Sequence, residues 1–433
     1  MPHVLLASVG GSEASVIASL NQHQPEYVVF FASKTSRPTI REKIEPALTF
    51  RPKDHEIIVT PDEQDLLACT RILLDRLPEI LGNWGLEARE LVGDFTGGTK
   101  TMSAAVVLAL SRQKCAYSYV GGARRDKDGL GVVINGSERV LRLDNPWDVL
   151  ALDELKDYSQ MFNRCQFQPA ELLAARTAEA LSEKREFFRT LSRLAKGYGL
   201  WDGFLHEQAL PVLRQAESEL ARMATVGDER LRQCHAAVAE NISSLAAVAA
   251  ELERYVKVNK KKKAGPVQEP ADEASGGEAI IRDLLANAVR RAEVEQRHED
   301  AVARLYGAIE KIAKLRLKAA HGIDNSNVEP DRLPACPDWL TQCQDASGRV
   351  RLPLTKSFEL LAHLGDPLGA RFQHNRERLN DILQIRNNSL LAHGFTPVQP
   401  DTYAMLLTIA LDFLAISRDQ LPSFPVMRWG EPA

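Results

Sequence analysis

The first 148 residues alternate short apolar runs with longer amphipathic segments, and this alternation limits the possible folds more than any other feature. Five runs rich in β-branched and aromatic residues begin near residues 3, 27, 55, 88 and 116. Each is almost continuously apolar, which is typical of a strand covered on both faces. Helix-length patterns separate the runs, so the sequence predicts an α/β region with a Rossmann-like, doubly wound parallel sheet. The segment that follows predicts a hairpin around Asn135-Gly136.

The pattern changes after Pro146. From there to residue 256, apolar residues recur at helical spacing, which predicts an all-α connecting region. Residues 257–278 are charged, rich in Pro and Gly and poor in apolar residues, which indicates a flexible linker or loop. Helical patterns resume at residue 279. The predicted domains are therefore a ligand-sensing domain (1–148), a helical connecting domain (149–256), the linker (257–278) and a C-terminal helical bundle (279–433).

Composition narrows the classes of function. The chain has 433 residues, enough for two or three domains, and a net charge of −4. This balance excludes a general nucleic-acid-binding surface, so an anionic ligand must be held at a local site. No basic recognition helix stands out, and we expect no DNA partner.

The cysteines and the N-terminal residues indicate the cellular compartment in which we expect the protein. Six cysteines are scattered without a CxxC pair, which favours reduced thiols over a zinc knuckle or a disulfide framework. The first residues, MPHVLLASVGGSE, have neither a basic leader nor a long apolar core, and no apolar stretch is long enough to span a bilayer. We therefore expect a cytoplasmic protein that has no contact with a membrane.

Two glycine motifs follow predicted strands. The first contains Ser8, Gly10, Gly11 and Ser12, and the second contains Thr96, Gly97, Gly98, Thr99, Lys100 and Thr101. Glycine pairs allow successive N–H groups to converge on an anion, and a helix N-terminus adds partial positive charge. Ligands of open parallel sheets bind at this edge. The motifs fit neither a Walker A loop nor a dinucleotide loop, and tight turns with threonine caps remain an alternative.

The two motifs, SVGGSE and DFTGGTKTMSAA, resemble those of the CARF domains of CRISPR-associated proteins. The resemblance covers the first domain and is densest over residues 94–105. It implies a dimer that binds a cyclic oligoadenylate, with tetra-adenylate favoured over hexa-adenylate, at the residues of the two motifs. A two-fold site suits a ring of repeated nucleotides, because each protomer offers the same loops to equivalent phosphates.

A second set of candidate residues lies near the C-terminus, in DILQIRNNSLLAHGF. The pattern predicts a helix that ends at Gly394 and carries Arg386 and His393 two turns apart on one face. At ~1.5 Å per residue the two Cα atoms would lie about 10 Å apart. This spacing suggests that two such helices meet about a two-fold axis. A well-capped helix without a catalytic role remains the alternative.

Arg386 and His393 suit RNA cleavage. Histidine exchanges protons near neutral pH, and arginine stabilises negative charge on a phosphate. Asn387 is able to orient either group, and the chemistry requires no metal. The segment IRNNSLLAHGF resembles the R-x4-6-H motif of HEPN ribonucleases. A second match, Arg316 to His321, has a five-residue step that places its ends on different helix faces, so we interpret it as a helix terminus.

Together the two halves resemble the CARF–HEPN ribonucleases of type III CRISPR systems, of the Csm/Csx type. The resemblance implies a homodimer that is activated by a cyclic oligoadenylate and cuts single-stranded RNA, leaving 2′,3′-cyclic phosphate and 5′-OH ends without a metal or a resident cofactor. Two alternatives remain open. One is a non-catalytic nucleotide-sensing dimer, and the other is a CARF domain that also degrades its activator as a ring nuclease.

Overall fold

The computed structural model describes residues 3–122, 138–225, 229–264, 277–333, 336–391 and 394–430. Its contacts divide the chain into two compact units, Met1–Asp153 and Glu154–Ala433. The first unit contains a six-stranded sheet, whose strands are β1 (Val4–Val9), β2 (Tyr27–Ala32), β3 (Asp54–Val59), β4 (Leu91–Asp94), β5 (Ala116–Gly122) and β6 (Glu138–Leu143). All five strands predicted from apolar runs are present. The predicted turn at Asn135-Gly136 lies outside the described residues.

Helices cover both faces of this sheet. They are α1 (Glu13–His23), the short α2 (Arg37–Thr39), α3 (Leu66–Trp84), α4 (Lys100–Leu110) and α5 (Pro146–Leu150). A π-helical turn (Ile40–Ile44) and a 3-10 turn (Glu45–Ala47) follow α2. Alternate residues of β1 enter opposite cores: Leu6 packs in the core that includes α3 and α4, and Leu5 packs in the core that includes α1. Burial on both faces explains why the strands lack the polar alternation of a half-exposed sheet.

The strand order is β3-β2-β1-β4-β5-β6. The first five strands are parallel, and β6 pairs antiparallel with β5. The chain builds outward from β1 through β2 to β3 and then returns to place β4 on the other side of β1. The carboxyl ends of β1 and β4 therefore flank the topological switch point, where open α/β sheets bind ligands. The predicted doubly wound fold is confirmed.

The second unit is helical, with 3-10 turns at Pro330–Arg332, Asp338–Cys343 and Arg418–Gln420. Its helices are α6 (Leu152–Asn163, which begins two residues before the unit boundary), α7 (Phe167–Ala180), α8 (Arg185–Asp202), α9 (His206–Ala224), α10 (Glu229–Ala264), α11 (Glu278–Val289), α12 (His298–His321), α13 (Leu354–His363), α14 (Pro367–Asn387) and α15 (Pro400–Leu414). A π-helical turn, Arg290–Val294, follows α11. Helix α10 continues to Ala264, eight residues into the predicted linker, and residues 265–276 lie outside the described residues. The four-domain division remains a prediction.

A buried polar network joins the connecting helices to the C-terminal bundle. Asp202, at the end of α8, accepts hydrogen bonds from Arg290 Nε at 2.8 Å and Asn287 Nδ2 at 2.9 Å, and it forms an ion pair with Arg291. Its neighbour Trp201 donates to Asp283 at 2.7 Å. Because a buried charge is costly unless it is paired, these contacts fix α8 against α11. The two helical regions therefore form one body.

The C-terminal segment strengthens this connection. Residues 421–429 follow the last 3-10 turn and return across the connecting helices. The ring of Phe424 lies 4.7 Å from that of Tyr198 and 5.0 Å from that of Trp201, measured between centroids. The guanidinium of Arg290 lies 3.8 Å from the centroid of the same ring. Aromatic and cation–π contacts of this kind add to the stabilisation by burial.

Within the described ranges, no helix is both long and apolar enough to cross a membrane.

We expect Phe424→Ala to lower the free energy of unfolding of the second unit by about 2–4 kcal/mol, because it removes a half-buried ring that three aromatic side chains and Arg290 contact. Denaturant unfolding followed by tryptophan fluorescence measures the change. Val426→Ala is the matched control, since Val426 lies on the same segment and is 69% exposed. A Phe424→Ala protein as stable as this control would contradict the role given to the segment.

Candidate functional site

The two glycine motifs meet at the switch point of the sheet. A Cβ atom added to Gly10 would lie 2.5 Å from the backbone nitrogen of Gly98, and one added to Gly97 would lie 2.1 Å from the carbonyl oxygen of Ser8. Any side chain at these positions would displace the opposite loop. Gly98 also has a φ of 81°, in the left-handed region that favours glycine. The glycines are therefore required for the two loops to touch.

Serine and threonine hydroxyls fix the second loop. The buried hydroxyl of Ser8 donates to the carbonyl of Gly97 at 2.7 Å, and that of Ser103 donates to the same oxygen at 3.0 Å. Thr96 accepts a hydrogen bond from the Val120 N–H at 2.7 Å. Thr99 caps α4 by accepting from the Met102 N–H at 3.1 Å. Ser8, a predicted binding residue, thus shapes the loop from inside the fold.

The remaining predicted binding residues border solvent. Gly11, Ser12 and Lys100 are exposed, and Thr101 is half-buried. Lys100 and Thr101 begin α4, where the first N–H groups lack intrahelical acceptors. Ser12 precedes α1 in the same way, and its side chain does not cap that helix. Two helix N-termini and one lysine therefore lie at this edge, an arrangement that favours anions.

Asp94 supports the loop from below. Its carboxylate is buried, accepts from the Thr96 N–H at 2.9 Å and accepts from the Ser19 hydroxyl at 2.5 Å. The Ser118 hydroxyl, 3.5 Å from that of Ser19, lies 3.0 Å from Nε2 of His23. Burial lowers the pKa of His23, whereas the Asp94 carboxylate works to raise it. This hydrogen-bonded chain ties the loop to α1 and β5.

The sequence reasoning missed the loop after β2. The hydroxyl of Ser36 donates to the carbonyl of Val9 at 2.9 Å, which brings this loop to the end of β1. Lys34 and Thr35 on the loop are exposed. The residues SKTS follow a predicted strand directly, and the carboxyl ends of parallel strands share one edge. That signal was sufficient to add Lys34 to the candidate anion site.

The C-terminal motif differs from its prediction. Helix α14 ends at Asn387, not at Gly394. The Ser389 N–H turns back to the Arg386 carbonyl at 3.0 Å, and the Thr396 N–H bonds to the Asn388 carbonyl at 3.1 Å, so the chain after Asn387 closes into a loop. The predicted helix as far as Gly394 is therefore wrong. His393 itself lies outside the described residues.

Arg386 continues the buried stripe of α14. Buried residues recur along this helix at steps of four and three, namely Leu368, Phe372, Asn375, Leu379 and Ile382. Arg386 takes the next position and is half-buried. Its guanidinium carbon lies 4.5 Å from the ring centroid of Tyr306 on α12, and its Nη1 donates to the Asn387 side chain at 3.1 Å. Helix packing thus positions a permanent cation where the core meets solvent.

Exposed apolar side chains lie close to Arg386 in the sequence. Leu390, Leu391 and Phe395 are 53%, 60% and 91% exposed, and Ile385 precedes Arg386 on the helix with 38% exposure. Single exposed apolar residues are common, but four of them within eleven residues are an unusual concentration. We call these four residues the apolar patch.

The second Arg–His pair has a different arrangement from the one expected. Arg316 Nε and His321 Nε2 both contact Oδ2 of Asp366, at 2.8 and 3.0 Å. The five-residue step separates the two backbones around α12, but the long side chains converge on one carboxylate. The expected helix terminus is confirmed, since α12 ends at His321. Asp366 also caps α14 by accepting from the Leu368 N–H at 2.9 Å.

Comparison with known families finds a match within the second unit. Residues 273–417 match the family model described as the Csm6 HEPN domain. The match covers about a third of the chain, and it agrees with the resemblance drawn from the motif of this region.

Solved structures show more distant similarities. Csm6 of Enterococcus italicus, bound to cyclic hexa-2′-fluoro-hexa-dAMP, has a TM-score of 0.45 and 13% identity, with 97% of each chain covered. Can2 of Sulfobacillus thermosulfidooxidans, in complex with cyclic tetra-adenylate, has a TM-score of 0.24 and 11% identity over 76% of this chain and 72% of that one. Protein VC1899 of Vibrio cholerae has a TM-score of 0.24 and 10% identity, with 71% and 68% covered. These scores are too low to assign a function. No curated protein matches the chain.

We expect Asp366→Asn to destabilise the second unit by about 1–3 kcal/mol at pH 7, because Arg316 and His321 lose a charged acceptor. Burial works to raise the pKa of Asp366, but hydrogen bonds from Leu368, His321 and Arg316 hold that pKa below its ordinary value of 3.8. The stabilisation is therefore complete above that value and is lost as the pH falls through the lower pKa of the folded state. Unfolding measured from pH 7 downward tests this.

Asparagine keeps the helix cap of Asp366, so the comparison isolates the charge. The matched control is Asp401→Asn, at an exposed position in the first turn of α15. A stability difference that persists unchanged at the lowest pH would contradict this account of Asp366.

Proposed function

We propose that this protein is a cyclic-oligoadenylate-activated endoribonuclease of type III CRISPR antiviral defence, acting in the cytoplasm. One observation carries the proposal: a single chain joins a switch-point anion site, built from two touching glycine loops, to a Csm6-type HEPN domain that presents Arg386 at the end of its core. The loops are suited to phosphates, and the arginine is suited to a second phosphate-containing ligand.

The activator is a cyclic oligoadenylate, and we favour the tetra-adenylate over the hexa-adenylate. Ser12, Thr96, Lys100 and Thr101 provide hydroxyl groups, helix N-termini and a charge for its phosphates, while Gly97 and Gly98 allow close backbone approach. In a two-fold dimer each protomer would bind an equivalent half of the ring. Activation then requires the ring to bind the cleaving arrangement more tightly than the idle one.

The substrate is single-stranded RNA. In the cleavage step the 2′-oxygen attacks phosphorus and the bond to the 5′-oxygen breaks, giving a 2′,3′-cyclic phosphate and a 5′-OH. His393 exchanges the protons, one leaving the 2′-OH and one reaching the 5′-oxygen. Arg386 stabilises the charge on phosphorus-bound oxygens, and Asn387 orients Arg386 through the hydrogen bond at 3.1 Å. These steps need no metal ion.

A homodimer completes the site. The apolar patch borders Arg386 and offers an exposed surface for a second copy. Two copies that meet there would bring two Arg386 side chains to one RNA strand. Leu391 and Gly394 are the described residues that flank His393, and the Gly394 N–H bonds to the Ser389 carbonyl at 3.1 Å, within the same loop.

We expect Arg386→Ala and His393→Ala each to lower activated RNA cleavage by at least about a hundredfold, because one removes charge stabilisation and the other removes proton transfer. Binding of cyclic tetra-adenylate should not change. A fluorescent RNA cleavage assay with tetra-adenylate, hexa-adenylate or no activator measures the first effect and the ring size. Calorimetric titration measures the second.

Matched controls lie on the same helix. Arg378→Ala and His374→Ala remove the same chemical groups from exposed positions of α14. Full cleavage by the Arg386→Ala, His393→Ala double variant would refute the catalytic assignment. A wild-type protein that binds the ring but never cuts RNA would instead indicate a non-catalytic sensor. Linear product from the ring itself would indicate ring nuclease activity.

The apolar patch gives a separate prediction. We expect Phe395→Asp to lower cleavage by about tenfold or more and to weaken self-association, because a charge would be buried between the two copies. Sedimentation velocity and the cleavage assay measure these effects. Val426→Asp places the same charge on another exposed apolar residue and should change neither. Normal cleavage and association by Phe395→Asp would exclude the patch as the interface.

A further inference from the structure

A cavity of about 450 Å³ lies between α11, α12, α14 and α15. Its volume is within the range of small-molecule sites, roughly 300–1,000 Å³. It lies near the start of α14, whereas Arg386 is near the other end of that helix, about 22 Å from Arg371 along the axis. The cavity is therefore separate from the proposed RNA-cleaving residues.

The floor of the cavity is apolar. It is lined by the buried side chains of Ile281, Ile312, Leu368 and Phe413. These come from four different helices, so the surface is formed by the packing of the bundle and not by a mobile loop. An aliphatic and aromatic floor of this kind accepts a flat, weakly polar group such as a nucleobase.

Two arginines line the same cavity. Arg316 is held by its Nε on buried Asp366 at 2.8 Å, and its side chain is 45% exposed. Arg371 is held by Nη1 on the Asp412 carbonyl at 2.5 Å. Each contact anchors one nitrogen of the guanidinium, and the planar fork has further donors that suit a phosphate. Anchoring reduces the entropy lost when a ligand binds.

The local charge favours an anion. Arg316 and Arg371 carry two positive charges, and Asp366, which pairs with Arg316, is not among the lining residues. The one carboxylate among the described lining residues is that of Glu278, which pairs with Arg282 at 2.5 Å. The described lining therefore has two positive charges and one negative charge beside an apolar floor.

We propose that this cavity binds a nucleotide, with its phosphate on Arg316 and Arg371 and its base on the apolar floor. The ligand is either a free mononucleotide or the 5′-phosphorylated end of a strand, which share this chemistry. Neither the anion site of the first unit nor Arg386 takes part, so the proposal goes beyond the function proposed above.

Calorimetric titration of the full-length protein tests the site with AMP, inorganic phosphate and 5′-phosphorylated tri-deoxyadenylate, which lacks the 2′-OH needed for cleavage. We expect saturable AMP binding, and phosphate alone should bind at least about tenfold more weakly because it lacks a base. If the natural ligand is a strand end, the trinucleotide should bind with an affinity equal to that of AMP. If the natural ligand is a free nucleotide, the trinucleotide should not bind.

Variants locate the binding. Arg316→Gln and Arg371→Gln should each weaken AMP binding by about ten- to hundredfold. Ala319→Trp should abolish it by filling the cavity without changing any charge, and it leaves the Arg316–Asp366 contact in place if Arg316→Gln fails to fold. Arg378→Gln, on α14 but outside the cavity lining, and Lys100→Glu, in the first unit, should retain binding within about twofold.

Two outcomes overturn the proposal. One is the absence of saturable AMP binding by the wild-type protein. The other is binding that survives Ala319→Trp but is lost in Lys100→Glu, which would place the nucleotide at the switch point of the sheet. Because RNA cleavage is not the readout, failure here is distinguishable from failure of the proposed ribonuclease function.

Discussion

The buried carboxylate of Asp202 sets the architecture of the helical unit. A charge at this depth is tolerated only if it is paired, and its partners Arg290, Arg291 and Asn287 all belong to α11 and the π-helical turn that follows it. Losing one partner of a buried ion pair costs about 3–5 kcal/mol. The connecting helices and the C-terminal helices are therefore held against each other at this contact.

In the first unit, the architecture depends in the same way on the close approach of two backbone loops. Parallel strands bring their carboxyl ends to one edge, and the reversal of strand order leaves a crevice between β1 and β4. There the loops at Gly10 and Gly97 touch at distances that exclude any Cβ. Much of this was predictable from sequence, because near-continuous apolar strands, helical spacing and paired glycines are local signals. The contact between the two loops was not predictable, since it joins residues almost ninety positions apart.

The features that the sequence did not predict depend on particular hydrogen bonds that no spacing pattern indicates. Gly394 has the character of a helix end, but hydrogen bonds from Ser389 and Thr396 end the helix earlier and close a loop. Arg316 and His321 lie on different sides of α12, but Asp366 provides a shared acceptor that no spacing rule connects to them. In the first case hydrogen bonds between near neighbours decide the outcome, and in the second a partner distant in sequence decides it.

Arg386 shows how packing prepares a candidate catalytic group. It occupies a core position in the seven-residue repeat of α14, where an apolar side chain would normally complete the seam. The charge is accommodated because the seam reaches solvent at this point and the ring of Tyr306 supports the guanidinium. An arginine fixed in this way loses less freedom when it meets a phosphate than one on a freely exposed surface. The same register that builds the bundle therefore determines where this cation is presented.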